Sequence, residues 1–257
     1  MNAGDTLLVK WGGAALKDGP DRFAAEVGPL VASGTRVIAV HGGGPEITAW
    51  LERLGLAHRF VGGLRVTSPE ALEMTEMALA RLSAQLAAAL GRAVGMSGRS
   101  GPTVLAEVHR PDGQDIGRVG RVVRVDTALI EHLLAGGFTP VVNCIAQGLD
   151  GGALNVNADW FAAGIAGALR VPALFLTDVD GVLSAPPDPA SLVRRAGRAD
   201  LEAMVASGQV SGGMVPKVQA CLDALAAGAP AAIIASAGQA GIVQAALSGS
   251  AGTRVEP

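Results

Sequence analysis

Arg36-Val37-Ile38-Ala39-Val40-His41-Gly42-Gly43-Gly44-Pro45-Glu46 is an apolar, β-branched run that stops at three successive glycines, with a helical pattern beginning just after. Three glycines in a row are poor material for a strand or helix interior, because each loses more backbone entropy on ordering than Ala does. Their use is close approach: bare backbone N–H groups at the mouth of a helix can meet an anion such as phosphate or carboxylate. A tight βα turn is the plainer reading of any single glycine pair. Similar glycine arrangements elsewhere in the chain shift the balance toward the anion.

Working outward, Thr6-Leu7-Leu8-Val9-Lys10 reads as a buried strand ending at Gly12-Gly13. Residues 21–33 carry helical spacing of Phe23, Val27 and Leu30/Val31, stopped by Gly34. This β-loop-α-β-loop-α order predicts an α/β protein with a parallel sheet and ligands at the carboxyl ends of its strands. Residues 59–67 read as a small hairpin around Gly62-Gly63. Ser68, Pro69 and Glu70 are good opening residues for a helix running to about Leu90. Its broad apolar face (Leu72, Met74, Met77, Leu79, Leu82, Leu86) is either core or a dimer surface.

Further along, strands are expected at 92–96, as short antiparallel pieces within 104–125, and at 138–145, 173–177, 231–235 and 253–255. Helices are expected at 126–134, 158–169, 201–205, 216–227 and 240–247, with an exposed Pro-rich loop at 185–189. No internal repeat or low-complexity linker is visible. The natural lobe division lies near 169–172, giving lobes of 1–169 and 170–257.

Composition narrows the function classes. At 257 residues and 49% hydrophobic content, the chain can bury a substantial core. Net charge is only −3 and aromatics are 3%, which argues against a nucleic-acid partner. The uncharged stretch 224–253 is too poor in Leu, Ile and Val, and too often interrupted, to read as a membrane span. The start has no basic n-region and no long apolar core, so no leader is expected. Cys144 and Cys221 lack metal spacing, and the four histidines do not cluster; buried thiols in the cytoplasm are the expectation, with no metal held by the protein.

Lysine usage is the most pointed compositional fact. There are 17 Arg but only three Lys, at 10, 17 and 217. Generic positive charge is left to Arg, so a retained Lys is a candidate for work needing a compact ammonium. Two of the three lie beside glycine pairs, in Lys10-Trp11-Gly12-Gly13 and Gly212-Gly213-Met214-Val215-Pro216-Lys217. The chain lacks GxxxxGK[ST], GxGxxG and GxSxG, which disfavours a P-loop NTPase, a dinucleotide site and a nucleophile elbow. The remaining inventory is glycine backbone donors, two ammoniums, and carboxylates in Asn155-Val156-Asn157-Ala158-Asp159 and Asp178-Val179-Asp180-Gly181-Val182. Phosphoryl transfer needs mostly positioning and charge neutralisation, and this set suits it. Asn155 and Asn157, two apart in an extended segment, could face one polar substrate. An Asx-turn into the following helix is the equally simple reading, as is a first-turn dipole role for Asp159.

These segments, with Gly63-Leu64-Arg65-Val66-Thr67 and Thr177-Asp178-Val179-Asp180-Gly181-Val182-Leu183, occur in the order found in the amino acid kinase superfamily. The chain resembles that superfamily over nearly its whole length, and its acetylglutamate kinase branch most closely. The resemblance implies a three-layer αβα sandwich with a mainly parallel open central sheet in two lobes. It implies ATP-dependent phosphorylation of the γ-carboxylate of N-acetyl-L-glutamate, a step of arginine biosynthesis, with Mg2+ carried by the nucleotide. Lys10 and Lys217 would neutralise the transferring phosphoryl group, and Asp159 would orient both. Gly43 and Gly44 would offer N–H groups to the acyl phosphate, Arg65 would pair with the α-carboxylate, and Asn155 and Asn157 would lie at the acceptor. Gly12, Gly13, Asp178, Val179, Asp180, Gly181, Val182, Leu183, Gln209, Val210 and Ser211 would line the nucleotide site. Trp11 is bulkier than the aliphatic residue usual after the first lysine. The chain starts almost at its first strand, so a homodimer that arginine does not inhibit is expected. Alternatives from the same fold are a kinase for carrier-bound α-aminoadipate and a non-catalytic amino-acid sensor; the intact Gly63–Thr67 segment, both lysines and Asp159 weigh against them.

Overall fold

The computed structural model describes residues 4–16 and 18–257. Residues 1–3, on which part of the leader expectation rests, and Lys17 lie outside them. In chain order the elements are β1 (Thr6–Trp11), α1 (Gly13–Leu16), α2 (Gly19–Ala32), β2 (Arg36–His41), α3 (Gly44–Arg53), β3 (Phe60–Val61), β4 (Leu64–Arg65), α4 (Pro69–Leu90), β5 (Ala93–Ser97), β6 (Val104–Val108) and β7 (Val119–Val125). They continue with α5 (Ala128–Ala135), β8 (Thr139–Asn143), β9 (Ile145–Gly148), β10 (Ala153–Val156), α6 (Ala158–Leu169), β11 (Ala173–Thr177), β12 (Arg195–Gly197), α7 (Arg198–Ala206), α8 (Val215–Ala226), β13 (Ala232–Ser236), α9 (Ile242–Ser248) and β14 (Thr253–Glu256).

Eight strands form one sheet in the order β12-β14-β13-β11-β1-β2-β8-β5. β13 and β14 pair antiparallel, and the pairs that flank β1 are parallel. Chain order reverses at β1, which has β2 on one side and β11 on the other. Such a switch point opens a crevice at the strands' carboxyl ends. Lys10, Thr177 and the residues after His41 all arrive there.

Both sheet faces are buried, and strand alternation sorts the residues between them. Leu7, Val9 and Trp11 of β1 join Val37 and Ala39 of β2 in a core with Phe23 and Val27 of α2 and Ile242 and Val243 of α9. Trp11 meets Phe23 edge-on, with ring centroids 5.3 Å apart. Leu8, Ile38 and Val40 face the other way, against Phe161 and Ile165 of α6 and Val218 and Cys221 of α8. The three-layer α/β architecture with a mainly parallel central sheet therefore stands. Helix α4 begins where expected, its N-cap Ser68 accepting from the Ala71 N–H, and touches both cores.

A second, four-stranded closed sheet joins β10, β7, β6 and β9. β6–β7 and β9–β10 are antiparallel, while β6–β9 and β7–β10 are parallel. The single strand expected at 138–145 is instead two. Asn143 Oδ1 accepts from the Ile145 N–H at 3.3 Å, and the chain leaves the large sheet for the small one at Cys144. β10 and the three-residue β12 are too short to show periodicity. α7 starts at Arg198 rather than 201, because Asp200 reaches back to accept from the Gly197 N–H at 2.9 Å. No helix among the described residues is long and apolar enough to cross a membrane.

Candidate functional site

Three cavities follow one another along the carboxyl-end crevice. The central one, of about 310 Å3, is lined by Lys10, Gly13, Pro45, Asp159, Thr177, Asp178 and Lys217 among others. Strand alternation puts Lys10 on the α6 face, where its Nζ lies 2.7 Å from Asp159 Oδ1. Lys10 is only 8% exposed, so this pair is fixed and partly stripped of water. Asp159 is in place because Asn157 caps α6, its Oδ1 accepting from the Asp159 and Trp160 N–H groups at 2.8 and 3.2 Å.

Lys217, from the first turn of α8, enters the same cavity from the opposite half of the sheet. Its Nζ is 3.2 Å from Asp178 Oδ1 and donates to the Gly213 carbonyl at 3.0 Å. The expectation that Asp159 orients both ammoniums thus meets half its geometry. Lys217 is held by Asp178, whose carboxyl is kept below its usual range by the Thr177 hydroxyl first and by Lys217 as well.

The second cavity, of about 150 Å3, is lined by Gly42, Gly43, Gly44, Phe60, Arg65, Cys144, Asn155 and Asn157 among others. Hairpin β3–β4 brings Arg65 over the glycines. Arg65 Nη2 donates to the Gly44 carbonyl at 3.0 Å and to Thr48 Oγ1 at 2.7 Å, and its guanidinium stacks 4.7 Å from the Phe60 ring centroid. Its Nη1 is buried with no hydrogen-bond partner among the described residues. Burial lowers the Arg65 pKa, but a guanidinium stays charged at neutral pH, so the wall of this cavity carries a cation with one donor unspent. A carboxylate is the natural complement. Asn155 Nδ2 donates to Thr67 Oγ1 at 3.1 Å and is half-buried in the wall. Asn157 lines the cavity too, but its side-chain oxygen is spent on the cap. Cys144 is another wall residue; burial pushes its thiol up to about 12, so it is protonated and no nucleophile.

The third cavity, of about 400 Å3, is lined by Asp178, Val179, Asp180, Gly181, Leu183, the prolines 186, 187 and 189, Leu192, Gln209, Val210, Ser211 and Met214. It shares Asp178 with the central one. Most residues expected at a nucleotide therefore converge here. Val182 does not: its side chain is wholly buried and its N–H donates to Thr253 Oγ1 at 2.8 Å. Gly181, at φ +148°, keeps the chain close to Thr253, where a Cβ would meet Oγ1 at 2.6 Å. Gly12 is also set back from the cavities. A Cβ there would lie 2.5 Å from the Leu176 carbonyl oxygen and 2.8 Å from Lys10 Nζ, so Gly12 makes room for the ammonium. Thr48 and Phe60, which hold the Arg65 guanidinium, carry no spacing signal in the sequence and are placed here only by the fold.

The amino acid kinase family model matches residues 5–236. An acetylglutamate kinase of Deinococcus radiodurans is 50% identical over 253 residues, covering 98% of this chain and all of that one. An acetylglutamate kinase of Thermus thermophilus is 48% identical, covering 97% of this chain and 98% of its own. Among solved structures, the carbamate kinase of Giardia lamblia bound to AMP-PNP superposes with a TM-score of 0.75 at 19% identity, covering all of this chain and 99% of that one. That last likeness is one of fold alone. With the fold, the crevice and these matches in agreement, the chain belongs to the amino acid kinase family.

Proposed function

We propose that this protein phosphorylates the γ-carboxylate of N-acetyl-L-glutamate with MgATP, a reading supported by its similarity to relatives named acetylglutamate kinase. The observation that carries the reading is the cavity shared by Lys10, Asp159 and Lys217, adjoining the Arg65 cavity on one side and the Asp178 cavity on the other. Acceptor, transfer site and nucleotide then have a place each, in line. In this reading residues 1–169 form the acceptor lobe and 170–257 the nucleotide lobe.

Arg65 pairs its free Nη1 with the α-carboxylate, next to Asn155 and the Asn157 cap, and the amides of Gly43 and Gly44 receive the acyl phosphate. Lys10, held by Asp159, and Lys217 flank the transferring phosphoryl group. A γ-carboxylate oxygen forms the new O–P bond as the bond to the β-phosphate oxygen breaks, and ADP leaves with that electron pair. The acceptor carboxylate is already ionised at neutral pH, so the step needs no general base. The two ammoniums act on the charge that spreads over the phosphoryl oxygens. Gly13, Asp178–Gly181, Leu183 and Gln209–Ser211 would line the nucleotide's place, and the magnesium carried by the nucleotide would neutralise its phosphate oxygens. Two buried, unpaired cysteines suit a reducing cytoplasm.

Leu54 and Met77, 53% and 65% exposed, border a groove between α3 and α4 with Trp50 and Met74. This apolar face supports the homodimer, which a sizing column run with and without arginine checks. The activity is tested by ADP release with N-acetylglutamate, glutamate, aspartate and N-acetyl-α-aminoadipate as acceptors. N-acetylglutamate is expected to be preferred. Turnover of free glutamate but not of its acetylated form would overturn the reading.

A further inference from the structure

Beneath the glycine loop lies a buried polar cluster that the chemistry above does not use. His41, the last residue of β2, is wholly buried, as nearly are Ser83 of α4 and Asn143 at the end of β8. His41 Nε2 is 2.8 Å from Ser83 Oγ, Asn143 Nδ2 donates to the same oxygen at 3.0 Å, and Ser83 Oγ lies 2.9 Å from the Leu79 carbonyl. On its other side, His41 Nδ1 is 2.7 Å from the carbonyl oxygen of Gly42. A carbonyl only accepts, so Nδ1 carries the proton, and Nε2 shares with the Leu79 carbonyl the single proton of the Ser83 hydroxyl. Burial holds the imidazole pKa down at about 4, in keeping with this neutral tautomer.

The sheet's alternation gives this contact a direction. His41 is in register with Trp11 and Lys10 with Val40, so His41 sits on the α2–α9 face and Lys10 on the α6 face. The imidazole thus holds the Gly42 carbonyl from the side opposite Lys10. In a trans peptide the N–H of the next residue points away from that carbonyl. Helix α4 is seated closely enough to enforce the arrangement. A Cβ on Gly43 would fall 2.5 Å from Leu79 Cδ2, and one on Gly95 would fall 2.9 Å from the Ser83 backbone.

We infer that His41, anchored by Ser83 and Asn143, is a positioning residue that locks the Gly42–Gly43 peptide with the Gly43 N–H directed to the acceptor cavity. The ring touches neither substrate. It removes the peptide flip that would turn a carbonyl oxygen toward the incoming anion, and so spares the loop reorganisation at the moment of transfer.

The inference rests on the reading of the 42–44 loop as an acyl-phosphate cradle, and two readouts separate them. His41→Leu removes the lock, whereas His41→Asn keeps an amide donor near the place of Nδ1. For His41→Leu we expect kcat with N-acetylglutamate to fall about 10²-fold, the scale of one preorganised donor, with KM for ATP within about twofold. His41→Asn should recover most of that loss. Ser83→Ala, the milder variant should His41→Leu not fold, should lower kcat about tenfold by freeing the ring. The second readout needs no turnover: crystals of His41→Leu, or of Ser83→Ala, should show the 42–43 peptide flipped or in two orientations, and His41→Asn the original one. An unchanged peptide with kcat within about twofold of the parent would overturn the inference. So would equal losses in His41→Leu and His41→Asn. A flipped peptide in a protein that never turned over N-acetylglutamate would leave the lock standing and sink the acceptor reading instead.

Discussion

The two glycine stretches that flank the central cavity are built in opposite ways. Gly42–Gly44 ends a central strand and is gripped from below: His41 holds its carbonyl, Leu79 leaves no room for a Cβ on Gly43, and Arg65 donates to Gly44. Gly212 and Gly213 form an exposed 3-10 turn, and a Cβ on either meets nothing within 4 Å. The lysines follow the same division. Lys10 is buried against Asp159, while the Asp178 that holds Lys217 has a 70% exposed side chain. The Gly42–Gly44 side is therefore preorganised, and the Gly212–Gly213 side is free to adjust.

Replacing the lysines tests that contrast most severely. Lys10→Ala and Lys217→Ala should each lower kcat by roughly 10²-fold or more, as for loss of a preorganised charge at the transition state. Thermal melts should then divide them: Tm falls in Lys10→Ala, which strands the Asp159 carboxylate, and holds in Lys217→Ala. A wild-type-like kcat in either variant would remove that lysine from the mechanism.

Acid should loosen the Gly42–Gly44 side. His41 is held at about 4 against its ordinary 6.5. Because the folded value is the lower one, the unfolded chain takes up the proton first as pH falls. The stability contributed by a neutral His41 is complete above 6.5 and drains between 6.5 and 4, amounting to on the order of 3 kcal/mol. Urea melts of the wild type and His41→Asn across this window measure it; parallel pH profiles would contradict the buried neutral ring.

Arg65→Lys exchanges a guanidinium that already spends Nη2 on Gly44 and Thr48 for a point charge. KM for the acceptor should rise roughly ten- to a hundredfold, the worth of a charge-assisted hydrogen bond, with KM for ATP nearly constant. Equal changes in both would detach Arg65 from the acceptor.

The smallest effects compare the glycines directly. Gly43→Ala forces a methyl onto the buried Leu79 and should cost about 1–3 kcal/mol of stability. Gly213→Ala enters open space outside the left-handed region and should stay within about 0.5 kcal/mol of wild type. Equal destabilisation in denaturant melts would erase the distinction between a gripped and an open loop.

Much of this was legible beforehand, for local reasons. The β-branched runs at 6–11 and 36–41, the glycine stops and the capped helices at 69–90 and 158–169 are set by propensity, caps and periodicity within a few residues. The scarcity of lysine marked both ammoniums of the central cavity. The small closed sheet escaped because β9 and β10 have four residues each, and their pairing depends on partners far along the chain.

The amino-acid sequence by itself determined the chemical inventory and its order: glycines after strands, two lysines beside glycines, an acidic helix start and an arginine on a hairpin. Those features are short-range, because a strand end or a helix cap is fixed by its neighbours. Only the tertiary structure decided which of them meet. Asn157 became a helix cap, Val182 a core residue with its N–H given to Thr253, and Asp178 rather than Asp159 the partner of Lys217. It also made His41 the buried clasp of the glycine loop, bonded to Ser83, 42 positions away, which in turn accepts from Asn143. These outcomes follow from which side chains each sheet face and each packed helix bring within about 3 Å, and no local pattern encodes that distance.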